Sequence, residues 1–228
     1  MANVAITGAG RGIAFELVKQ HLERGDRVFA LVRNPDGATD LATLAASSDG
    51  RLTVHALDVA SNASVTAGAA STGDAPIDVL YNVAGVGGRS EAQFGAIDWD
   101  DFDESIEINL KGPLRVLDAF LPRLGSGSKV INFSSQLAAS TWPYGGYWPY
   151  AATKGGLNRL MRSVAFDLKD RGIVVGLIHP GYVQTDMGGP NAEITPQESA
   201  SSIIALADGW ALEDTGEFYK WNGEKHPW

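Results

Sequence analysis

Near the N-terminus, an apolar run at residues 4–7 passes into the glycine-rich turn Thr7-Gly8-Ala9-Gly10-Arg11-Gly12-Ile13-Ala14, and residues 12–24 then place Ile13, Leu17, Val18 and Leu22 at helical spacing. A buried strand entering a helix through so tight a turn restricts the chain to α/β architectures. Glycine lets the backbone turn sharply and approach a ligand with no Cβ in the way. The helix N-terminus behind the turn supplies unpaired N–H groups and a partial positive charge. Such a turn suits the pyrophosphate of a dinucleotide.

The same alternation runs through the rest of the chain. Segments 27–32, 51–57, 78–82 (DVLYN), 129–133 (KVINF) and 173–178 (IVVGLI) read as strands, and GEFYKWNG as a last short one. Helical patterns fall at 99–124 and from about Trp148, where Leu157, Leu160, Met161, Val164 and Leu168 form one apolar stripe. Another helix runs from about Pro196 to Ala207, with Thr195 placed as its N-cap and proline in its first turn. Segments 34–50 and 60–76, rich in Ala, Ser, Gly and Asp, read as surface helices and loops. Strands alternating with helices make βαβ units, and right-handed crossovers wind them into a doubly wound, mostly parallel sheet of seven strands with helices on both faces. No boundary interrupts the 228 residues, so one domain spanning 1–228 is expected.

Charge and composition narrow the partners. A net charge of −9 argues against a nucleic-acid or anionic-membrane surface. The chain has no cysteine, which excludes disulfides and thiolate metal sites, and its four histidines, His21, His55, His179 and His226, are too scattered for metal-ligand spacing. MANVAITGAG lacks the basic start and apolar run of a signal peptide, and no stretch approaches the roughly 18 apolar residues of a membrane span. A cytoplasmic location is expected.

The second strand ends Leu31-Val32-Arg33-Asn34, where folds that prefer NAD place an acid on the ribose 2′-hydroxyl. Arg33 here, and Arg11 in the turn, suit a 2′-phosphate, which planar guanidiniums bind with two hydrogen bonds each. NADP(H) is therefore expected over NAD(H). Asp58, ending the third strand, either accepts a hydrogen bond from an adenine amino group or caps the helix before Ser61. Tyr150 and Lys154, four apart at a helix start, share one face. A tyrosine titrating near pH 10 is a poor base at neutral pH, and a nearby ammonium and a cationic nicotinamide ring favour its phenolate.

These motifs, in this order, resemble the short-chain dehydrogenase/reductase family over nearly the whole chain: TGAGRGIA at 7–14, LDV at 57–59, NVAG at 82–85, Asn109, Ser134-Ser135, Tyr150-x-x-x-Lys154 and HPGYVQTDM at 179–187. HPGYVQTDMGGPNA and WNGEKHPW are similar to the C-factor and sniffer-like carbonyl reductase branch. Three features depart from the family pattern. Ala14 replaces a glycine, Val83 replaces an asparagine amide, and the loop 136–149 is longer than in the common subgroup.

The resemblance implies a Rossmann fold and a homodimer formed through the helices near 100–124 and 148–170. It implies that Tyr150 donates a proton to a carbonyl oxygen in reduction and removes it in oxidation. Ser135, preferred over Ser134, would hold the substrate oxygen, and Asn109 would complete a water-borne proton relay to Lys154. The residues themselves leave blander roles open, Asn109 as a helix breaker or cap and the serines as strand-end turn residues. Cofactor contacts are implied for Gly8, Gly10, Arg11, Gly12, Ile13, Arg33, Asp58, Val59, Asn82, Ala84 and Gly85, and for Tyr150 and Lys154, the latter on the nicotinamide ribose hydroxyls. Pro180 and Gly181 would line the nicotinamide, and Val183 and Thr185 its carboxamide. His179 reads as a packed strand-end residue.

The aromatic loop 141–149 precedes Tyr150, so Trp142, Tyr144 and Tyr147 are expected to wall a substrate pocket with Ser135 and Met187, unless these rings pack a subunit contact or the core. Asp186 and Met187 border the cleft, and the short segment 188–196 leaves it accessible. The expected activity is NADP(H)-dependent interconversion of hydrophobic or aromatic ketones and aldehydes with alcohols. The alternative is an NAD(P)-binding sensor or signalling protein with vestigial catalysis, against which the presence of Tyr150, Lys154, Ser135 and Asn109 together counts. A sugar-nucleotide epimerase or dehydratase would need a substrate domain for which the chain is too short.

Overall fold

The computed structural model of the chain describes residues 1–87 and 94–228. Seven strands, β1 (Asn3–Thr7), β2 (Arg27–Val32), β3 (Leu52–Ala56), β4 (Val79–Asn82), β5 (Lys129–Phe133), β6 (Val174–His179) and β7 (Phe218–Lys220), form one sheet in the order β3-β2-β1-β4-β5-β6-β7. Every pairing is parallel, so the sheet is wholly rather than mostly parallel. Sheets of this kind are covered on both faces, which is why their central strands are almost continuously apolar. In β6 all six residues are buried, and Val4, Ala5 and Ile6 of β1 have no exposed surface.

Alternate residues of a strand point to opposite faces, and the two cores divide β1 accordingly. Val4 and Ile6 pack with Leu17 and Val18 of α1 (Gly12–Glu23) and Ile203 and Ala207 of α7 (Pro196–Gly209). Ala5 faces the other way, toward the core that holds Val65 of α3 (Asn62–Ser71), Phe120 of α5 (Gly112–Phe120), and Leu157 and Met161 of α6 (Trp148–Leu168). The two surface segments contain α2 (Thr39–Ala46) and α3. The helical segment near 99–124 is composite: α4 (Trp99–Ser105), a π-helical turn over Ile106–Lys111, then α5. Thr195 caps α7 as its sequence implies, accepting from the Glu198 amide at 3.2 Å while the Glu198 carboxylate accepts from the Thr195 amide at 2.8 Å. Among the described residues, no helix is long and apolar enough to cross a membrane.

The strand order reverses direction between β1 and β4. A crevice opens outside the carboxyl ends of strands at such a point, and ligands of open α/β sheets bind there.

Two histidines are buried in this frame. His21 Nδ1 lies 2.9 Å from Asp26 Oδ2, and its Nε2 lies 3.2 Å from the Tyr81 hydroxyl. His179, ending β6, stacks edge-on against His226 at 5.7 Å. Burial pulls the His179 pKa down to about 4, helped by His226 and Lys220, and burial also lowers that of His21. In the unfolded chain both titrate near pH 6.5. Between about pH 6.5 and about pH 4 the unfolded chain takes up the His179 proton and the native fold does not, so acidification across that window favours unfolding. The loss reaches roughly 3 kcal/mol from His179 by pH 4. Denaturant unfolding at pH 7.5 and pH 5 should show the drop, and His179→Gln should flatten it. At Gly176 of β6, an added Cβ would lie 2.2 Å from the Trp210 ring. Gly176→Ala should therefore lower stability by about 1–3 kcal/mol, read as a fall in Tm or denaturant midpoint.

Candidate active site

The glycine-rich turn and the segment after β4 meet at the reversal point. The Thr7 hydroxyl accepts from the amides of Val83 at 3.0 Å and Ala84 at 3.2 Å, and lies 3.3 Å from the Tyr81 carbonyl to which it donates. The ends of β1 and β4 are thus tied together. Gly8 has φ +68, and a Cβ there would lie 2.9 Å from Ala84 Cα; Gly12 has φ +56. Any larger residue at Gly8 fills the space between the two strand ends, so the backbone itself forms the floor of the site. Ala14 is buried and packs without its glycine being missed.

A cleft of about 960 Å³ lies above this floor. Of the expected cofactor residues, Gly8, Arg11, Gly12, Ile13, Arg33, Asp58, Val59, Ala84, Gly85, Tyr150, Lys154, Pro180 and Thr185 line it. Asp58 does not cap the following helix. Ser61 does, accepting from the Ser64 amide at 3.3 Å, while Asp58 Oδ1 accepts from the Ala60 amide and leaves the residue on the cleft wall. Four expected contacts lie off the wall. Gly10 sits behind the turn, facing Val32. Val183 is buried and bridges to Ile194, and Gly181 (φ +92) sits where a Cβ would strike Ile194 and Trp221. Asn82 turns its side chain into the core. Its Nδ2 donates to Asn132 Oδ1 at 2.9 Å and to the Pro113 carbonyl at 3.2 Å, and Asn132 donates on to the Gly176 carbonyl. A buried amide needs partners, and those available are inside the sheet.

Tyr150 and Lys154 both face the cleft from the first turns of α6, with the Lys154 ammonium 5.7 Å from the Tyr150 ring centroid. Lys154 is buried, and its Nζ donates to the Phe133 carbonyl at 2.7 Å. Burial pulls its pKa down to about 8. Burial raises the Tyr150 pKa, and a hydrogen bond with Ser135 opposes the rise without reversing it. The protein's own groups thus keep the phenol protonated at neutral pH.

The two serines part company. Ser134, not Ser135, lies on the cleft wall, with its Oγ donating to Asn158 Oδ1 at 2.5 Å, whereas Ser135, expected on the pocket wall, is off it and hydrogen-bonds Tyr150. Ser135 also caps the short turn Gln136–Ala138, accepting from the Leu137 amide.

Asn109 lies in the π-helical turn, fully buried. Its Oδ1 accepts from the Val86 amide and its Nδ2 donates to the Val86 carbonyl, both at 2.9 Å, with Thr153 Oγ1 a further acceptor at 3.3 Å. Asn109 thus neither ends nor caps a helix, and its side-chain amide is committed to Val86. A Cβ on Gly85 would lie 3.0 Å from Asn109 Oδ1 and 3.6 Å from Lys154 Nζ, so these three residues converge. One-turn π insertions recur at functional sites, because they redirect a side chain that an α-helix would aim elsewhere. Nothing in the residue pattern signals this turn.

On the substrate side, Met187 lines the cleft and packs over Gly87. Trp142, Tyr144 and Tyr147 do not line the cleft: Trp142 and Tyr144 meet edge to face at 5.3 Å, and Tyr147, at φ +52, precedes α6 with its ring exposed. The sequence reading missed Phe94, which is 87% exposed and stacks on Trp148 at 4.3 Å, two residues before Tyr150. Asp186 borders the cleft as expected, and its ion pair with Arg11 at 3.0 Å is the part that the sequence reading did not contain. Among the described residues, no group of three His, Cys, Asp or Glu is placed to hold a metal ion.

Comparisons with known proteins agree with this arrangement. The family described as short chain dehydrogenase matches residues 2–195. The C-signal of Myxococcus xanthus is 41% identical over 158 residues, covering 67% of this chain and 93% of that protein. Among solved structures, the NADPH-bound carbonyl reductase from chicken fatty liver superposes with a TM-score of 0.92 at 32% identity, covering 100% of this chain and 99% of the other. The carbonyl reductase Sniffer of D. melanogaster superposes with a TM-score of 0.93 at 26% identity, covering 100% of both chains. With its glycine turn, its Tyr150–Lys154 pair and a family match over most of its length, the chain belongs to the short-chain dehydrogenase family of oxidoreductases.

Proposed function

We propose that this protein is an NADP(H)-dependent carbonyl reductase for hydrophobic ketones and aldehydes. The observation that carries the reading is Tyr150 and Lys154 on the wall of a cleft whose floor is built of glycine backbone, with Ser135 hydrogen-bonded to Tyr150. That floor fits a dinucleotide, since a Cβ at Gly8 would close it. Gly8 and Gly12, at the N-terminus of α1, would hold the pyrophosphate, and Arg11 and Arg33 a 2′-phosphate. Asp58, Val59 and the Ala84–Gly85 backbone would flank the adenosine and ribose, and Lys154 the nicotinamide ribose. When bound, the nicotinamide supplies or accepts the hydride.

The chain's own groups do the rest. The Tyr150 phenol, held protonated by burial, donates its proton to the substrate oxygen. Ser135 donates a hydrogen bond to the same oxygen, where negative charge develops. Lys154, fixed by the Phe133 carbonyl, keeps a positive charge beside Tyr150 that favours its anion once the proton has left. Asn109 acts by position: it grips Val86 and so holds the segment after β4 against the cleft. Apolar carbonyl substrates are favoured by Met187 on the wall. The same reading has the protein work in the cytoplasm as a homodimer that covers the exposed Phe166 of α6.

A second reading, a nucleotide-binding signalling protein without turnover, is favoured by the likeness to the Myxococcus C-signal. Loss of absorbance at 340 nm with NADPH and a panel of small, aryl and bulky ketones separates the two. The expected result is turnover that falls by about 10²- to 10⁴-fold in Tyr150→Phe, with NADPH affinity retained. Tight NADPH binding with no turnover by the parent protein would establish the signalling reading instead.

A further inference from the structure

The phosphate turn carries a competitor for its own cation. Arg11 Nη1 and Asp186 Oδ2 form an ion pair at 3.0 Å, and both residues line the cleft. Asp186 belongs to the segment after β6 and is held beside the turn rather than passing it by chance. Its neighbour Thr185 sits so close to Gly12 that a Cβ there would lie 3.1 Å from the threonine methyl. The segment is wound on itself by hydrogen bonds from the Gly189 amide to the Thr185 carbonyl at 2.8 Å and from the Gly188 amide to Thr185 Oγ1 at 3.2 Å. Arg33, on the same cleft wall, has no ion pair among the described residues. One arginine stands ready and the other is engaged.

We propose that Asp186 is a cofactor-discrimination residue, which competes with the nucleotide 2′-phosphate for Arg11 and so weakens NADP(H) relative to NAD(H). The inference rests on the dinucleotide reading of the cleft. A nucleotide that bears the 2′-phosphate must draw Arg11 away from Asp186 and leaves a carboxylate facing its own negative charge. One without that phosphate leaves the pair intact. Both side chains are about three-quarters exposed, so water screens the pair and the effect is modest.

The test is equilibrium binding, followed by nucleotide fluorescence, of NADPH and NADH to the parent protein, Asp186→Asn, Arg11→Ala and the double variant, at low and high salt. Asp186→Asn should tighten NADPH by about three- to ten-fold while NADH changes less than about two-fold. The gain should shrink at high salt and vanish in the Arg11→Ala background. Should Asp186→Asn destabilise the fold, Asp186→Ser gives the same readout. Equal tightening of both nucleotides, no tightening, or a gain that persists without Arg11 overturns the proposal and leaves the dinucleotide reading standing. Failure of the parent protein to bind either nucleotide overturns both.

Discussion

The site exists because β1 and β4, far apart in sequence, lie side by side and end together. The Thr7 hydroxyl bridges them by taking the amides of Val83 and Ala84, and the approach is so close that Gly8 has no room for a side chain against Ala84. From that junction the two halves of the sheet diverge, and the crevice between them is what remains open. Everything else in the site is placed relative to it. β2 and β3 bring Arg33 and Asp58 to one side, and β5, α6 and the segment after β6 bring Ser134, Tyr150, Lys154 and Met187 to the other.

A second layer of polar contacts holds the reacting groups still. Lys154 is a buried cation, which low-dielectric surroundings penalise, and the Phe133 carbonyl at the end of β5 offsets part of that penalty while fixing its reach. Asn109 engages both backbone polar groups of Val86, as a strand neighbour would, and Thr153 ties it to the same helix that carries Tyr150. Asn158 takes up Ser134 and thereby separates the roles of two adjacent serines. Deeper still, Asn82 and Asn132 link β4, β5 and β6 through amide contacts. Hydrogen bonds inside a protein are directional and costly to leave unmade, so each fixes a position more sharply than apolar packing does.

The strands, the turn and the Tyr150–Lys154 pair were legible in the sequence because they rest on short-range rules: alternation, glycine, and a four-residue helical spacing. A mostly parallel sheet followed from the same alternation, and the structure makes it parallel throughout. What was not legible depends on contacts between distant segments. The inward turn of Asn82 depends on Asn132, the commitment of Asn109 on Val86, and the pairing of Arg11 on Asp186. The aromatic loop shows the limit most clearly. Its composition suggested a pocket wall, yet Trp142 and Tyr144 found each other, and Phe94, from another part of the chain, stacked on Trp148. The Tyr150 phenol is a similar case, since burial by its surroundings raises its pKa and a hydrogen bond with Ser135 only opposes the rise.

The position of β1 in the sheet has a consequence for how the protein is made. As the chain leaves the ribosome, β1, β2 and β3 can pair among themselves, since their order in space is the reverse of their order in sequence. Until β4 has emerged, β1 is a bare edge of apolar, two-faced strand, the kind of surface that recruits other chains. The cleft floor cannot form in that interval either, because Thr7 has no amides to accept from. Chaperone binding and misassembly should therefore concentrate in the nascent chain between the completion of β3 and the arrival of β4, and slow translation over that stretch should be the condition that exposes it most.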